Sequence, residues 1–460
     1  MFKHISRDKK FYRAMMALAV PVVLQNLINN SLSMLDTFMV GTLGEEALAG
    51  VTLANTVFFV VMLFTFGLQS GCAVLISQYW GKGDSTTINR ILGIGIGLTA
   101  AVSLIVGVIV TAIPDQVYAL TSNDAGLISV AADYARVVAF AQFFNGLSMM
   151  YISAQRSMEN PRLGMTILII SMATNTFLNW VMIFGKLGFP AMGVKGAALA
   201  TLCSRIIEFA ITLIYALRTT RFFLDFKAML RPGKVIFMDF VRFSLPVVVN
   251  ETVWGFGFSL YAVIIGHMEG AVAGVAAYTI TLTVERMLSA INFGVGGAAA
   301  VLVGKPLGAG DREGAHTAGV TMMAVTTIMG VAIGLLLLAL TYTVVVPLVL
   351  PLFGASDQTL AIGQAMLVIV AAAMPFRSFN FCNIVGVLRG GGDVKAGVFI
   401  DIFCMYGIAL PLSALAGLVW GASVVVVYLL ITTEEFVKVF IGYWRFSKKK
   451  WLRNITREIA

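Results

Sequence analysis

Charge is scarce in this sequence. Only 12% of its 460 residues are Asp, Glu, Lys or Arg, against 59% hydrophobic residues, and the mean hydropathy is +0.90. Soluble proteins average about 25% charged and 45–50% apolar residues, so a soluble globular enzyme is excluded. Histidine is rarer still, with only His4, His267 and His316, and no HExxH, GxSxG or GxxxxGK[ST] motif occurs. The first two absences argue against a zinc or serine hydrolase and the third against direct ATP hydrolysis. No enzymatic activity, catalytic residue or organic cofactor is expected. The four cysteines (Cys72, Cys203, Cys382, Cys404) lie in apolar segments without a secreted spacing pattern. They read as small buried apolar residues rather than disulfide partners.

Long apolar runs are abundant. A bilayer core about 30 Å thick takes roughly 20 apolar residues per helical span, and twelve such runs can be marked: 15–41, 52–80, 91–114, 130–154, 163–183, 195–217, 241–267, 277–304, 316–342, 361–388, 395–415 and 417–444. The predicted fold is an all-α integral membrane protein of twelve transmembrane helices. The net charge of +9 does not indicate nucleic acid, because the basic residues fill short gaps between apolar runs; membrane lipids with anionic headgroups are the expected partner. The N-terminal segment, the even-numbered loops and the C-terminal segment hold 25 Lys and Arg, whereas the odd-numbered loops hold only Lys186 and Lys195. By the positive-inside rule both termini are cytoplasmic. The basic stretch Lys3 to Arg13 and the apolar run behind it lack a convincing cleavage site, so the run reads as a retained first span rather than a signal peptide.

The chain is internally duplicated. Pro21-Val22-Val23-Leu24-Gln25-Asn26, running on to Gly41, matches Pro246-Val247-Val248-Val249-Asn250-Glu251, running on to Gly266, at an offset of 225. Gly81-Lys82-Gly83-Asp84 matches Gly308-Ala309-Gly310-Asp311 at 227, and Arg156-Ser157-Met158-Glu159-Asn160 matches Arg389-Gly390-Gly391-Gly392-Asp393 at 233. Three ordered matches at nearly constant offset mark a repeat. The expected organisation is an N-terminal lobe over residues 1–217, a basic connector over 218–240 and a C-terminal lobe over 241–460. Each lobe contributes six spans and both start on the same side, so they are pseudo-symmetric parallel repeats. In transporters built this way the substrate site lies near the midplane between repeats, and rocking gives alternating access. Gly294-Val295-Gly296 has no strand context for a dinucleotide fingerprint and reads as close helix packing.

Ionisable residues inside spans cost roughly 2.5–3.5 kcal/mol or more at a helix centre and are functional candidates by default. Asp36 stands five residues before Gly41 with no Lys or Arg near it in sequence. A desolvated carboxylate there takes a proton or recruits a cation, which makes it a candidate Na⁺ ligand. Glu251, five residues after Pro246, is a second candidate, with pairing to Arg242 as its structural alternative. Arg205 with Glu208 and Glu434 with Lys438 have the spacing of intrahelical pairs. Glu285 and Arg286 are expected to pair across helices, with Glu285 also a cavity candidate. Arg377 and Arg136 are cations that could neutralise Glu251 or Asp36. Gln25, Asn29, Phe143, Asn145, Met149, Trp254, Phe258 and Tyr261 are candidate cavity residues, since thioethers and rings accommodate flat amphipathic guests and cations.

These residues resemble the MATE family, the multidrug and toxic compound extrusion transporters of twelve spans in two six-helix lobes. The resemblance covers nearly the whole chain. It rests on Pro21 to Asp36 with Gly41, Gly44 and Leu48-Ala49-Gly50, on Gln78-Tyr79-Trp80-Gly81-Lys82-Gly83-Asp84, on Gly193-Val194-Lys195-Gly196-Ala197-Ala198 with Thr201, and on Leu388-Arg389-Gly390. It implies export of small organic cations driven by inward H⁺ or Na⁺, with Asp36 matching the family's first-span coupling acid. In the DinF-like branch an Asn and an Asp four apart on the fifth span help bind the ion. The matching positions here are Asn175 and Asn179, leaving Asn175, Asn179 and Thr201 as neutral ligands. NorM-like members carry acids on the seventh and tenth spans; Glu251 lies nearer its proline than in that pattern, and Ser378 stands near the place of the tenth-span Asp. The chain is assigned to neither branch.

The expected protein is thus a cation-coupled antiporter of a bacterial inner membrane, a monomer, with a flippase for lipid-linked sugars or other amphipathic lipids as the alternative.

Overall fold

The computed structural model describes residues 5–343 and 356–458, so Lys3 and His4 fall outside it. Among the described residues twelve long helices follow one another: α1 Lys9–Gly41, α2 Glu45–Lys82, α3 Ser85–Ala112, α4 Ala125–Ser157, α5 Pro161–Phe184, α6 Gly193–Arg218, α7 Lys234–Gly266, α8 Ala271–Gly308, α9 Arg312–Leu340, α10 Asp357–Phe381, α11 beginning at Val394–Cys404, and α12 Val424–Ser447. Among the described residues there is no strand. Eleven of these helices are long and apolar enough to cross a membrane. The twelfth has the length as well but carries Glu434, Glu435 and Lys438 in its middle.

Helix ends follow local chemistry. Gly83 (φ 80°) and Gly310 (φ 86°) adopt the left-handed conformation open to glycine. The next residue then caps the following helix: Asp84 accepts from the Thr87 amide at 2.9 Å, and Asp311 from the Gly314 amide at 2.7 Å. The matched repeat motif is therefore a stop-and-restart turn. Gly392 (φ 84°) and its repeat mate Glu159 (φ 63°) make the same kind of reversal after α10 and α4.

One boundary differs from expectation. Residues 417–420 close the eleventh helix rather than opening the twelfth, because Gly421 turns the chain at φ 64° and Ser423 caps α12 through the Val426 amide. Beyond Phe381, α10 continues as a π-helical segment, Cys382–Leu388, and α11 contains two more, Met405–Ala409 and Leu415–Val419. Such widened turns occur disproportionately where helices carry function.

The chain folds as two compact units, one comprising Leu24–Val248 and the other Met1–Val23 with Val249–Ala460. Both divisions fall two residues beyond the proline inside α1 or α7, Pro21 and Pro246, where the missing N–H and the ring loosen a helix. In the first unit the start of α7 lies so close to α2 that a Cβ on Gly67 would come within 2.6 Å of the Val248 Cα. In the second unit the start of α1 lies equally close to α8, where a Cβ on Gly294 would come within 2.9 Å of the Val23 backbone nitrogen. Gly67 and Gly294 are repeat mates at the offset of 227. The duplication thus reproduces a backbone contact as well as a sequence, and Gly294 serves helix packing.

The core of the first unit gathers Phe58, Ala131, Tyr134, Ala135 and Ala198 from α2, α4 and α6. That of the second includes Val303, Met322, Val387 and Trp451. The four cysteines are free thiols, three of them buried.

Candidate functional site

A polar seam runs between α5 and α6. On α5, Ser171, Asn175 and Asn179 recur every fourth residue, and on α6, Thr201, Arg205 and Glu208 recur at spacings of four and three. Each set therefore shares one helix face. The helices run antiparallel, so the two faces meet in register. The Asn175 amide reaches the Thr201 hydroxyl at 3.5 Å, and the Ser171 hydroxyl donates to Glu208 Oε2 at 2.8 Å. Asn179 donates to Asn175 Oδ1 at 3.3 Å and to Asp36 Oδ1 at 2.6 Å. Tyr134 of α4 completes the cluster, standing beside Thr201. Four of the five expected coupling-ion residues, Asp36, Asn175, Asn179 and Thr201, are thus brought together. Tyr134 escaped the sequence reading because a lone tyrosine in an apolar run carries no local signal.

Asp36 differs from six other carboxylates of the long helices. Glu208 is paired with Arg205 at 2.6 Å, Glu251 with Arg389 at 3.0 Å, Glu285 with Arg377 at 2.8 Å and Asp401 with Lys438 at 3.4 Å. Glu434 is paired with Lys438 at 3.7 Å and Glu435 with Arg377 at 3.8 Å. Asp36 makes no ion pair among the described residues. Beside it, Asn179 is 1% exposed and its Oδ1 has no hydrogen-bond partner. An orphaned buried acceptor next to an uncompensated carboxylate is costly. One carboxylate with amide and hydroxyl oxygens suits a single positive charge, either a proton on Asp36 or a hard monovalent cation among the oxygens.

The second unit holds a different cluster. Glu251 was expected beside the coupling ion or paired with Arg242; its partner is Arg389, which is 1% exposed. Arg389 also stands 3.9 Å from Asp401. Asn250 donates to Asp401 at 3.3 Å, and Lys438 bridges Asp401 and Glu434. Arg377, expected to neutralise Glu251 or Asp36, instead holds Glu285 and Glu435. The Tyr428 hydroxyl also bonds Glu285. Glu285 is therefore anchored inside the packing rather than presented as a free cavity acid. Asp401 and Glu435 were missed, although the criterion that singled out Asp36, an acid within an apolar run, applies to both. Arg389 was missed because its Gly-rich neighbourhood reads as an exposed loop. The π-helical segment before it carries it into the interior.

The remaining candidates are placed as follows. Gln25 is half-buried near Gly164 of α5, while Asn29 is exposed. Phe143, Asn145 and Met149 of α4 are half-buried, and Phe143 packs edge-on against Phe144 with ring centroids 5.5 Å apart. On α7, Trp254 and Phe258 form an edge-on pair at 4.3 Å. Tyr261 departs from its expected cavity role. It is 0% exposed within the core of the second unit, because it lies on the face of α7 that packs inward.

A family model described as MatE matches the chain in two stretches, residues 21–181 and 246–415, beginning at Pro21 and Pro246. The probable multidrug resistance protein YoeA of Bacillus subtilis is 25% identical over 456 residues, covering 97% of this chain and 96% of its own. A probable multidrug resistance protein NorM of Mesorhizobium japonicum is 26% identical over 418 residues, covering 89% and 88%. Among solved structures, a point mutant of the Vibrio cholerae MATE transporter VcmN superposes with a TM-score of 0.86 at 15% identity, covering 95% of this chain and 97% of its own. That likeness concerns the fold.

Proposed function

The chain belongs to the MatE family of multidrug efflux transporters, and from that premise we propose that it exports amphipathic organic cations in exchange for inward-moving H⁺ or Na⁺ bound at Asp36. The observation that carries this reading is the contrast in counter-ions. Every other deep carboxylate named above has a resident Lys or Arg, whereas Asp36 has only the Asn179 amide at 2.6 Å. A mobile cation is what that position lacks. Asn175, Asn179 and Thr201 supply its neutral oxygens, and Phe143, Met149, Trp254 and Phe258 are the side chains assigned to the substrate.

In this reading the ion enters at Asp36 from outside, its binding drives the release of the organic cation, and the protein then reverses to return the ion to the cytoplasm. The charge bias of the loops supports cytoplasmic termini in a bacterial inner membrane. Glu251 falls outside the ion site because Arg389 already neutralises it. Lipid flipping draws less support, since Arg205, Arg377 and Lys438 are committed to carboxylates and offer no free cation for an anionic headgroup.

The test is transport of a fluorescent organic cation in proteoliposomes under an imposed pH gradient, then under a Na⁺ gradient, with wild type and Asp36→Asn. Transport driven by one gradient and lost in the variant identifies the ion and its carrier. Dye movement under neither gradient, or unchanged movement in Asp36→Asn, overturns the proposal in favour of lipid flipping.

A further inference from the structure

Glu208 is the most thoroughly buried acid of the first unit, at 0% exposure. It lies on the seam that holds Asp36 but does not touch it. Its Oε2 takes the Arg205 guanidinium at 2.6 Å and the Ser171 hydroxyl at 2.8 Å, while its Oε1 is buried with no hydrogen-bond partner. Arg205 stands one turn from Thr201 on the same face of α6, and Thr201 joins the Asn175–Asn179 chain that ends on Asp36. The first unit therefore places one guanidinium on a seam with two carboxylates. It is bonded to the one that is not expected to bind the ion.

We propose that Glu208 is a positioning residue that clamps Arg205 and so keeps the protein's own cation off Asp36. This rests on the reading of Asp36 as the ion carrier and explains why that carboxylate stays available. Without the clamp, a guanidinium on a flexible side chain, tethered one turn from Thr201, would compete with any mobile ion at high effective concentration. The neighbours of this arrangement are Tyr134 on α4, Ser171, Asn175 and Asn179 on α5, and Thr201 and Ser204 on α6. None is a base that could replace Arg205 or an acid that could replace Glu208. With Asp36 ionised, two carboxylates face one guanidinium, so the seam lacks one positive charge. Electroneutrality in a low-dielectric setting then calls for a single mobile cation. Removing the charge of Glu208 leaves one carboxylate and one guanidinium, which can neutralise each other with no ion bound.

The experiment reads ion binding directly on the purified full-length protein, without transport. Infrared difference spectra follow the Asp36 carboxyl band, assigned by its loss in Asp36→Asn, as pH is lowered or Na⁺ is added. Glu208→Gln is expected to weaken proton or Na⁺ binding at Asp36 at least tenfold. The double variant Arg205→Gln/Glu208→Gln, which removes the competitor with the clamp, is expected to restore it to within about threefold of wild type. A merely structural role for Glu208 would not be rescued by removing a second charge. Should Glu208→Gln not fold, Glu208→Asp keeps the charge while shortening its reach, and an intermediate loss is expected. Affinity unchanged in the single variant, or a double variant as weak as the single, overturns the clamp while leaving Asp36 as the carrier. A wild-type band that answers neither protons nor Na⁺ overturns both.

Discussion

Asp36 and Tyr261 occupy the same position in the two halves, each fifteen residues beyond the proline of its 33-residue helix. Asp36 is partly exposed and bonded to an amide, whereas Tyr261 is sealed in a hydrophobic core. The acid of α7, Glu251, lies ten residues nearer its proline, about 15 Å lower on its helix at 1.5 Å per residue. The duplicated scaffold thus carries its polar clusters at different depths in the two units. In one the carboxylate lacks a resident cation, and in the other it has one.

Replacing Asn179 by Leu removes the hydrogen bond to Asp36 and the orphaned oxygen beside it. A Na⁺ ion held between Asp36 and the Asn179 Oδ1 loses a ligand, and contacts to charged groups contribute about 1.5–3 kcal/mol, so the half-saturating Na⁺ concentration should rise by at least about tenfold. Gradient-driven dye transport at varied ion concentration checks this. Asn179→Asp should retain binding.

Arg389 is predicted to matter for folding rather than for coupling. Removing one partner of a buried ion pair costs about 3–5 kcal/mol, whereas replacing both by apolar residues is often neutral. Arg389→Met should therefore lower the melting temperature sharply. Arg389→Met/Glu251→Leu should recover part of the loss, with Asp401 limiting the recovery. Thermal unfolding of the four proteins of the cycle gives the coupling.

The paired close approaches make a controlled steric test. A Cβ at Gly67 or Gly294 would meet backbone atoms, whereas at Gly97 or Gly297 it meets nothing within 4 Å. Alanine at either of the first two should destabilise by about 1–3 kcal/mol. Alanine at the last two should leave the melting temperature unchanged or raise it, since a helical glycine costs about 1 kcal/mol relative to alanine.

The C-terminal segment holds a second structural commitment. Trp451 is 0% exposed, stacks on Phe446 at 5.2 Å and donates its indole N–H to the Phe446 carbonyl at 3.0 Å, while the Arg453 amide bonds Gly391 at 3.1 Å. Trp451→Ala should cost about 3–5 kcal/mol, visible as faster proteolysis after α12.

Tyr118, in the short helix Pro114–Ala119 between α3 and α4, is fully buried with its hydroxyl 3.4 Å from the Ala54 carbonyl. Burial pushes its phenol up to about 12. Because the unfolded chain ionises at about 10, the unfolded state loses its proton first. The contribution to stability is therefore whole below about pH 10 and is lost as pH rises from about 10 to about 12. Tyr118→Phe should flatten that part of the alkaline unfolding curve.

Span number, the duplication and Asp36 were all legible in the sequence. Apolar run length is set by bilayer thickness, turn motifs act within a few residues, and a carboxylate in an apolar run is conspicuous wherever the chain goes. Asn175, Asn179 and Thr201 entered through the family resemblance, since amides and hydroxyls at helical spacing have many structural uses. Arg389 illustrates the opposite case. Its neighbours Gly390, Gly391 and Gly392 signal a turn, and nothing local reveals that the preceding π-helical segment buries it against Glu251.

The sequence by itself determined a twelve-helix membrane protein built from two like halves, with an acid near the end of its first span, because hydropathy, turns and repeats are properties of neighbouring residues. Only the tertiary structure decided which acids have partners. Asp36 meets Asn179 across 143 positions and Glu251 meets Arg389 across 138. Pairing over such separations is settled by which helix faces pack together, and no local pattern encodes that.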